Sequence, residues 1–122
     1  MTSDSTRDVP DVAAVAAVAD PNTGWAISEG GSWQEFGGTS AAAPNWAAFT
    51  AIYDDYAAGH SGAALGFAST SIYADAQSSN YGSESHDITS GSNGAYSAGT
   101  GYDQVTGWGS YDGAQFIADN LG

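Results

Sequence analysis

The sequence predicts an α/β fold, and three of its features do so. A short apolar run follows Pro10, a Gly-Gly pair separates two strand-like segments, and aromatic residues recur at helical spacing directly after a glycine-rich turn. At 122 residues the chain has about one domain's length. No linker-like composition interrupts it, so it reads as one structural unit spanning residues 1–122.

Residues 1 to 7 are polar and carry no expected element. Pro10 pushes Val9 toward extended backbone. The residues from Asp11 to Ala16 are mostly apolar on both faces, the pattern of an interior parallel strand. A strand is therefore expected at about 11–16, with alanine-rich helix as the alternative. Asp20-Pro21-Asn22-Thr23-Gly24 is a turn cluster. Residues 25–36 then read as a hairpin, because Gly30-Gly31 supplies the positive φ angles a two-residue turn needs. Asn45 to Ala58 reads as a helix, and the long helix after the glycine-rich turn is expected to begin within three residues of Ser40. Trp46, Phe49, Tyr53 and Tyr56, with Ile52, fall on one helical face, and Gly59 ends it. A short helix is expected at 69–76. Residues 78–110 are dense in Gly, Ser, Asn, Asp and Tyr without a repeat. Residues 112–121 predict a terminal helix that buries Phe116, Ile117 and Leu121.

Charge excludes whole classes of function. There are 14 acidic residues against a single cation, Arg7, for a net charge of −13. A nucleic-acid binder needs clustered Lys and Arg, and an anionic membrane surface would repel this chain. The charge repels itself at neutral pH. High salt screens it and acid titrates it, so either habitat fits. With no cysteine there is no disulfide framework and no thiolate metal site. The longest apolar run, Val12 to Ala19, is too short to span a bilayer. The polar start at Met1 is not a signal peptide.

Two segments carry chemistry. In the first, Gly37-Gly38-Thr39-Ser40-Ala41-Ala42-Ala43-Pro44 runs from the hairpin into the helix. A serine there lies beside unsatisfied N–H groups and the positive end of the helix dipole, which favour a developing alkoxide and oxyanion. Pro44 is expected in the first helical turn, where it needs no donor. For an isolated serine, a simple N-cap is the alternative. In the second, Asp87-Ile88 and Asp103 bracket the glycine-rich stretch Ala98-Gly99-Thr100-Gly101-Tyr102. Hard cations such as Ca²⁺ take carboxylate, carbonyl and water oxygens, and glycines let carbonyls turn inward. The EF-hand pattern is absent, and a solvated turn region is the alternative.

Taken together these segments resemble the C-terminal part of the catalytic domain of the sedolisins, serine-carboxyl peptidases with a subtilisin-like fold. Residues 7–12 and 19–24 resemble the strand and turn before the nucleophile. Gly38-Thr-Ser-Ala-Ala-Ala-Pro44 resembles the nucleophile motif. Leu65-Gly-Phe67 with Ile72-Tyr73 resembles the next connection, and residues 87–110 resemble the family's calcium loop. The resemblance implies a partial subtilisin-like three-layer α/β fold and a serine-type peptidase, endopeptidase or tripeptidyl-peptidase. It implies Ser40 as nucleophile, with its own N–H in the oxyanion hole. It also implies one Ca²⁺ held by the carboxylates of Asp87 and Asp103 and the carbonyls of Ile88, Gly99 and Gly101, with Asp11 structural. Protein or peptide substrate and the upstream remainder of the same domain are the implied partners, and the full-length protein would be secreted.

The departure lies in the base. The family uses a Glu with an Asp four residues later, plus an Asp in Gly-Asp-Ser-Gly. Here Glu29, Glu35 and Glu84 are followed at that distance by Trp33, Thr39 and Ile88, and no Gly-Asp-Ser-Gly occurs. His60, beyond a helix end, and His86, beside the metal loop, read as surface groups rather than triad members. The chain is therefore expected to be half an active site, inactive alone. It would be a truncated product, a gene fragment or a piece of a longer protein. A calcium-stabilised extracellular module without catalysis is the second reading, and a Ser-His-Asp enzyme of the subtilisin type the third.

Overall fold

The computed structural model describes residues 7–18 and 23–122. The polar start and most of the turn cluster at Asp20-Pro21-Asn22 lie outside the described residues. Helices and strands are mixed, as expected. In chain order they are β1 (Trp25–Glu29), β2 (Ser32–Phe36), α1 (Thr39–Gly59), α2 (Ala68–Ala76), α3 (Tyr81–Glu84), β3 (Ser85–His86), β4 (Ser110–Tyr111) and α4 (Gly113–Leu121). They fall into two compact units, residues 14–52 and residues 53–122 with the segment ending at Ala13. One boundary lies inside α1, which is why no change of composition marks it.

In the unit formed by residues 14–52, β1 and β2 pair antiparallel, Trp25 opposite Phe36 and Glu29 opposite Ser32. Gly30 and Gly31 have φ of 59° and 83°, the left-handed pair that a two-residue hairpin turn requires. Period-two alternation puts Trp25, Ile27 and Phe36 on one face and Ser28 and Trp33 on the other. All ten strand residues are exposed.

The strand expected at 11–16 does not form as one: residues 12–18 carry no strand pairing, and both sheets among the described residues are antiparallel and two-stranded. An interior parallel strand needs a neighbour along each edge. This segment instead makes scattered bonds, with Gly38 N–H and the Trp25 indole donating to the carbonyls of Ala16 and Val15.

In the second unit, the segment around Asp11 is fixed by polar bonds. Arg7 pairs with the Asp11 carboxylate, Tyr73 donates its hydroxyl to Asp11 at 2.9 Å, and Trp108 N–H donates to the Asp11 carbonyl at 2.9 Å. The structural role expected for Asp11 fits these bonds. Trp108 is ringed by Tyr73, Tyr81 and Tyr102 at centroid distances of 6.0, 5.5 and 5.6 Å. Tyr53 meets Phe116 edge-on at 6.0 Å, and Tyr53, Ala57, Leu65 and Phe116 are buried. α4 begins where the Asp112 side chain accepts from Gln115 N–H at 3.1 Å, a side-chain N-cap. The terminal helix expected at 112–121 and the short helix at 69–76 are present within a residue. α3 and the β3–β4 pair lack a sequence signal, being two to four residues long in a Ser/Gly-rich stretch.

Candidate functional sites

Ser40 is the second residue of α1 and is exposed. The helix starts at Thr39, within three residues of Ser40 as expected and six residues before the Asn45 that the aromatic spacing marks, because the alanines after Ser40 are the best helix formers. Gly38 caps it: its carbonyl accepts from Ala41 N–H at 2.9 Å and Ala42 N–H at 3.3 Å. Gly38 has φ of 90°, and a side chain on Gly37 would strike Val18 and the Ala16 carbonyl, so both glycines are required by space and backbone.

Pro44 departs from expectation. It is the sixth residue of α1 rather than part of its first turn, so the bond an amide there would give the Ser40 carbonyl is missing. Among the described residues, no side chain donates to or accepts from the Ser40 hydroxyl. His60 is held elsewhere, its Nδ1 2.8 Å from the Tyr56 carbonyl and its ring stacked on Tyr56 at 3.9 Å. His86 lies in β3, with exposed residue surface.

A cavity of about 360 Å³ opens beside Ser40, lined by Trp25, Ile27, Phe36, Gly37, Ser40, Ala41, Pro44 and Asn45. No lining residue is charged. The sequence reading placed the hairpin but gave no sign that Trp25, Ile27 and Phe36 line one cavity with the serine.

The second candidate lies in the other unit. Asp87 Oδ2 accepts from Gly101 N–H at 2.8 Å, and Asp103 Oδ2 accepts from Gly99 N–H at 3.0 Å. Asp103 Oδ1 accepts from the N–H groups of Val105 and Thr106, both at 2.8 Å. The Thr106 hydroxyl reaches the Ile88 carbonyl at 3.4 Å. The structure thus brings Asp87, Ile88, Gly99, Gly101 and Asp103 into one hydrogen-bonded loop. Asp87 Oδ1 is buried with no hydrogen-bond partner. Burial pushes the Asp103 carboxyl up, but the N–H groups of Gly99, Thr106 and Val105 outweigh it and hold the carboxyl below its ordinary value. Burial, then the Asp87 carboxylate, raises the Tyr81 phenol to about 12. No group of three or more His, Cys, Asp or Glu side chains suited to a metal occurs among the described residues. Main-chain oxygens would have to complete any cation shell.

Glu84 escaped the sequence reading. It is fully buried, both carboxyl oxygens lack hydrogen-bond partners, and its carbonyl accepts from Asp112 N–H at 2.7 Å. Burial chiefly, with the Asp119 and Asp75 carboxylates adding to it, raises its pKa from 4.5 to about 7. Flanked by Ser83 and Ser85, it carries no hydropathy signal of burial.

No protein-family model matches the chain. Sedolisin from Pseudomonas sp. (strain 101) is 39% identical over 116 residues, covering 92% of this chain and 18% of that protein. Xanthomonalisin from Xanthomonas sp. (strain T-22) is 40% identical over 116 residues, covering 90% of this chain and 13% of that protein. The chain thus spans less than a fifth of the length of these curated relatives.

Proposed function

This chain is homologous to a segment of the sedolisins, and on that premise we propose that it is the nucleophile-bearing part of a subtilisin-like serine peptidase domain acting on protein or peptide substrates. The observation that carries the reading is Ser40, exposed at the start of α1 behind a Gly-Gly cap and beside a cavity. In the reaction, the Ser40 oxygen bonds to the substrate carbonyl carbon, and the oxyanion faces the Ser40 N–H at the start of α1. The hydroxyl proton must pass to a base. With no Glu-x-x-x-Asp pair in the 122 residues, that base and the oxyanion aspartate belong to the rest of the domain. The chain alone is therefore inactive, since a nucleophile without its partners retains little of the unit's effect. A secreted full-length protein accords with this reading, and no helix among the described residues is long and apolar enough to cross a membrane.

A chimera tests it: the matching segment of the Pseudomonas sedolisin is replaced by this chain and peptide hydrolysis is measured. The chimera is expected to cleave, Ser40→Ala to abolish cleavage, and the isolated chain to release no product at any pH. A folded chimera that keeps its activity after Ser40→Ala would overturn the assignment.

The loop at 87–103 fits one Ca²⁺. The donors are all oxygens, which hard cations prefer, and the buried, unpartnered Asp87 Oδ1 is an anionic oxygen in want of a positive charge. Asp87 and Asp103 would supply carboxylates, and Ile88, Gly99 and Gly101 carbonyls. The ion would supply cross-linking of the loop, not chemistry at Ser40. At a free Ca²⁺ concentration about 100 times Kd, binding adds about 2.7 kcal/mol of stability. Thermal melting with CaCl₂ or EGTA measures this. The melt should rise with calcium, and Asp87→Ala and Asp103→Ala should abolish the response. An unchanged melt on chelation would leave the loop a turn-rich surface. The non-catalytic reading shares this site, so the chimera, not the melt, separates the two.

A further inference from the structure

We propose that Glu84 and Asp119 share a proton that fastens α4 to α3, a clasp that is closed in acid and opens as pH rises, loosening the C-terminal helix. The inference goes beyond the peptidase reading and does not rest on it.

Burial and connectivity carry it. Glu84 is fully enclosed, and as a carboxylate it finds no donor for either oxygen. An ionised group so placed has lost its water and gained nothing in return. Asp119, on α4, is the side-chain partner that favours the protonated acid, and Asp75, on α2, adds a second negative charge. Neighbouring carboxyl groups resist ionising together, so the pair keeps a proton. That proton supplies the missing donor: the Glu84 O–H bonds to the Asp119 carboxylate, a hydrogen bond strengthened by the acceptor's charge. The Asn80 side chain, at the start of α3, favours the charged form but weighs less than burial, Asp119 or Asp75.

The other ionisable groups on the surrounding elements are committed elsewhere. The chain's one Lys or Arg, Arg7, pairs with Asp11. His60 stacks on Tyr56, and His86 in β3 is exposed. Asp112 accepts from Gln115 N–H. The phenols of Tyr73 and Tyr81 are pushed up to about 12, chiefly by burial, and stay neutral. Tyr111 lies opposite Ser85 in β4.

The seat of α4 depends on this pair. Asp112 N–H ties its start to the Glu84 carbonyl at 2.7 Å, and Asn120 ties its end to Asp75 at 2.9 Å. Phe116, buried against Tyr53, holds the middle at every pH, so opening is a loosening rather than a detachment. At nine residues the helix is too short to persist undocked. The folded pKa of Glu84, about 7, lies above its ordinary 4.5. The clasp is therefore complete below about 4.5 and lost as pH rises through about 7.

The test follows amide hydrogen exchange in the 122-residue chain from about pH 5 to about pH 8, as protection factors, which cancel the base catalysis of exchange itself. Protection at Phe116, Ile117 and Ala118 should fall about tenfold or more across that window. Trp108 N–H, bonded to the Asp11 carbonyl in the same unit, should keep its protection. The carboxyl ¹³C signal of Glu84 should titrate with a midpoint near 7. Asp119→Asn should lower the proton affinity of Glu84 about tenfold or more. Gln115→Ala, which removes the other side-chain bond to Asp119, should leave that midpoint in place. Glu84→Gln, whose amide donates to Asp119 at every pH, should make α4 protection independent of pH.

A Glu84 midpoint near 4.5, a midpoint unmoved by Asp119→Asn, or an equal loss of protection at Trp108 would overturn the clasp. The parent chain's midpoint and protection need no substitution, so a variant that misfolds does not shield the clasp from refutation.

Discussion

The two units spend their apolar and polar groups in opposite ways. In the unit ending in α4, Tyr53, Leu65 and Phe116 are buried, Trp108 is ringed by three tyrosines, and the Asp103 carboxylate is taken up by three backbone N–H groups. In the unit of residues 14–52, the hairpin satisfies its backbone, yet every side chain on it is exposed, Trp33 at 75%. Apolar surface left exposed beside Ser40 forgoes the stabilisation that burial gives. The difference is one of burial: the unit ending in α4 encloses Tyr53 and Phe116, whereas the hairpin of the other leaves Trp25, Trp33 and Phe36 at the surface.

Substitutions break or sharpen that contrast. Phe116→Ala should cost most, about 3–5 kcal/mol, read as a lower melting temperature.

The pH dependence of stability comes next, through Glu84. Its folded pKa of about 7 lies above its ordinary 4.5, so the folded state binds the proton more tightly than the unfolded one. The stabilising contribution is complete below about 4.5 and is lost as pH rises through about 7. On the order of 3 kcal/mol is at stake. Denaturant melts between pH 4 and 8 should show stability falling across this window, and Glu84→Gln should flatten the fall. An equally steep profile in that variant would place the titration elsewhere.

Asp103→Ala should cost about 2 kcal/mol by stranding backbone donors, with faster hydrogen exchange at Gly99, Val105 and Thr106 and none at Trp25. Smallest is Trp33→Ala, within about 0.5 kcal/mol. A cost as large as that of Phe116→Ala would mean the hairpin is as integral to stability as the core.

What the sequence yielded follows from the range over which each signal acts. The hairpin was readable because the Gly30-Gly31 turn signal is local, and its bounds agree with β1 and β2. The helix after the glycine-rich turn was readable, and its start at Thr39 lies within three residues of Ser40 as expected; the aromatic spacing alone marks it only from Asn45, because the run Ala41-Ala42-Ala43 has no periodicity. The strand at 11–16 failed because strand formation needs an edge to pair with, and composition does not reveal whether one is present. Ile88, Gly99 and Gly101 come together around Asp87 and Asp103 because glycine and aspartate shape loops locally. The burial of Glu84 and the cavity beside Ser40 are products of tertiary packing and had no trace in the order of residues.

Pro44 has a mechanical consequence. The α1 ladder lacks the rung between Ser40 and the position four residues on, while the Gly38 carbonyl closes the start of the serine's turn. The Ser40 carbonyl thus has no donor at the usual place in the ladder, and the first turn of the twenty-one-residue helix is held by one bond fewer than the turns that follow.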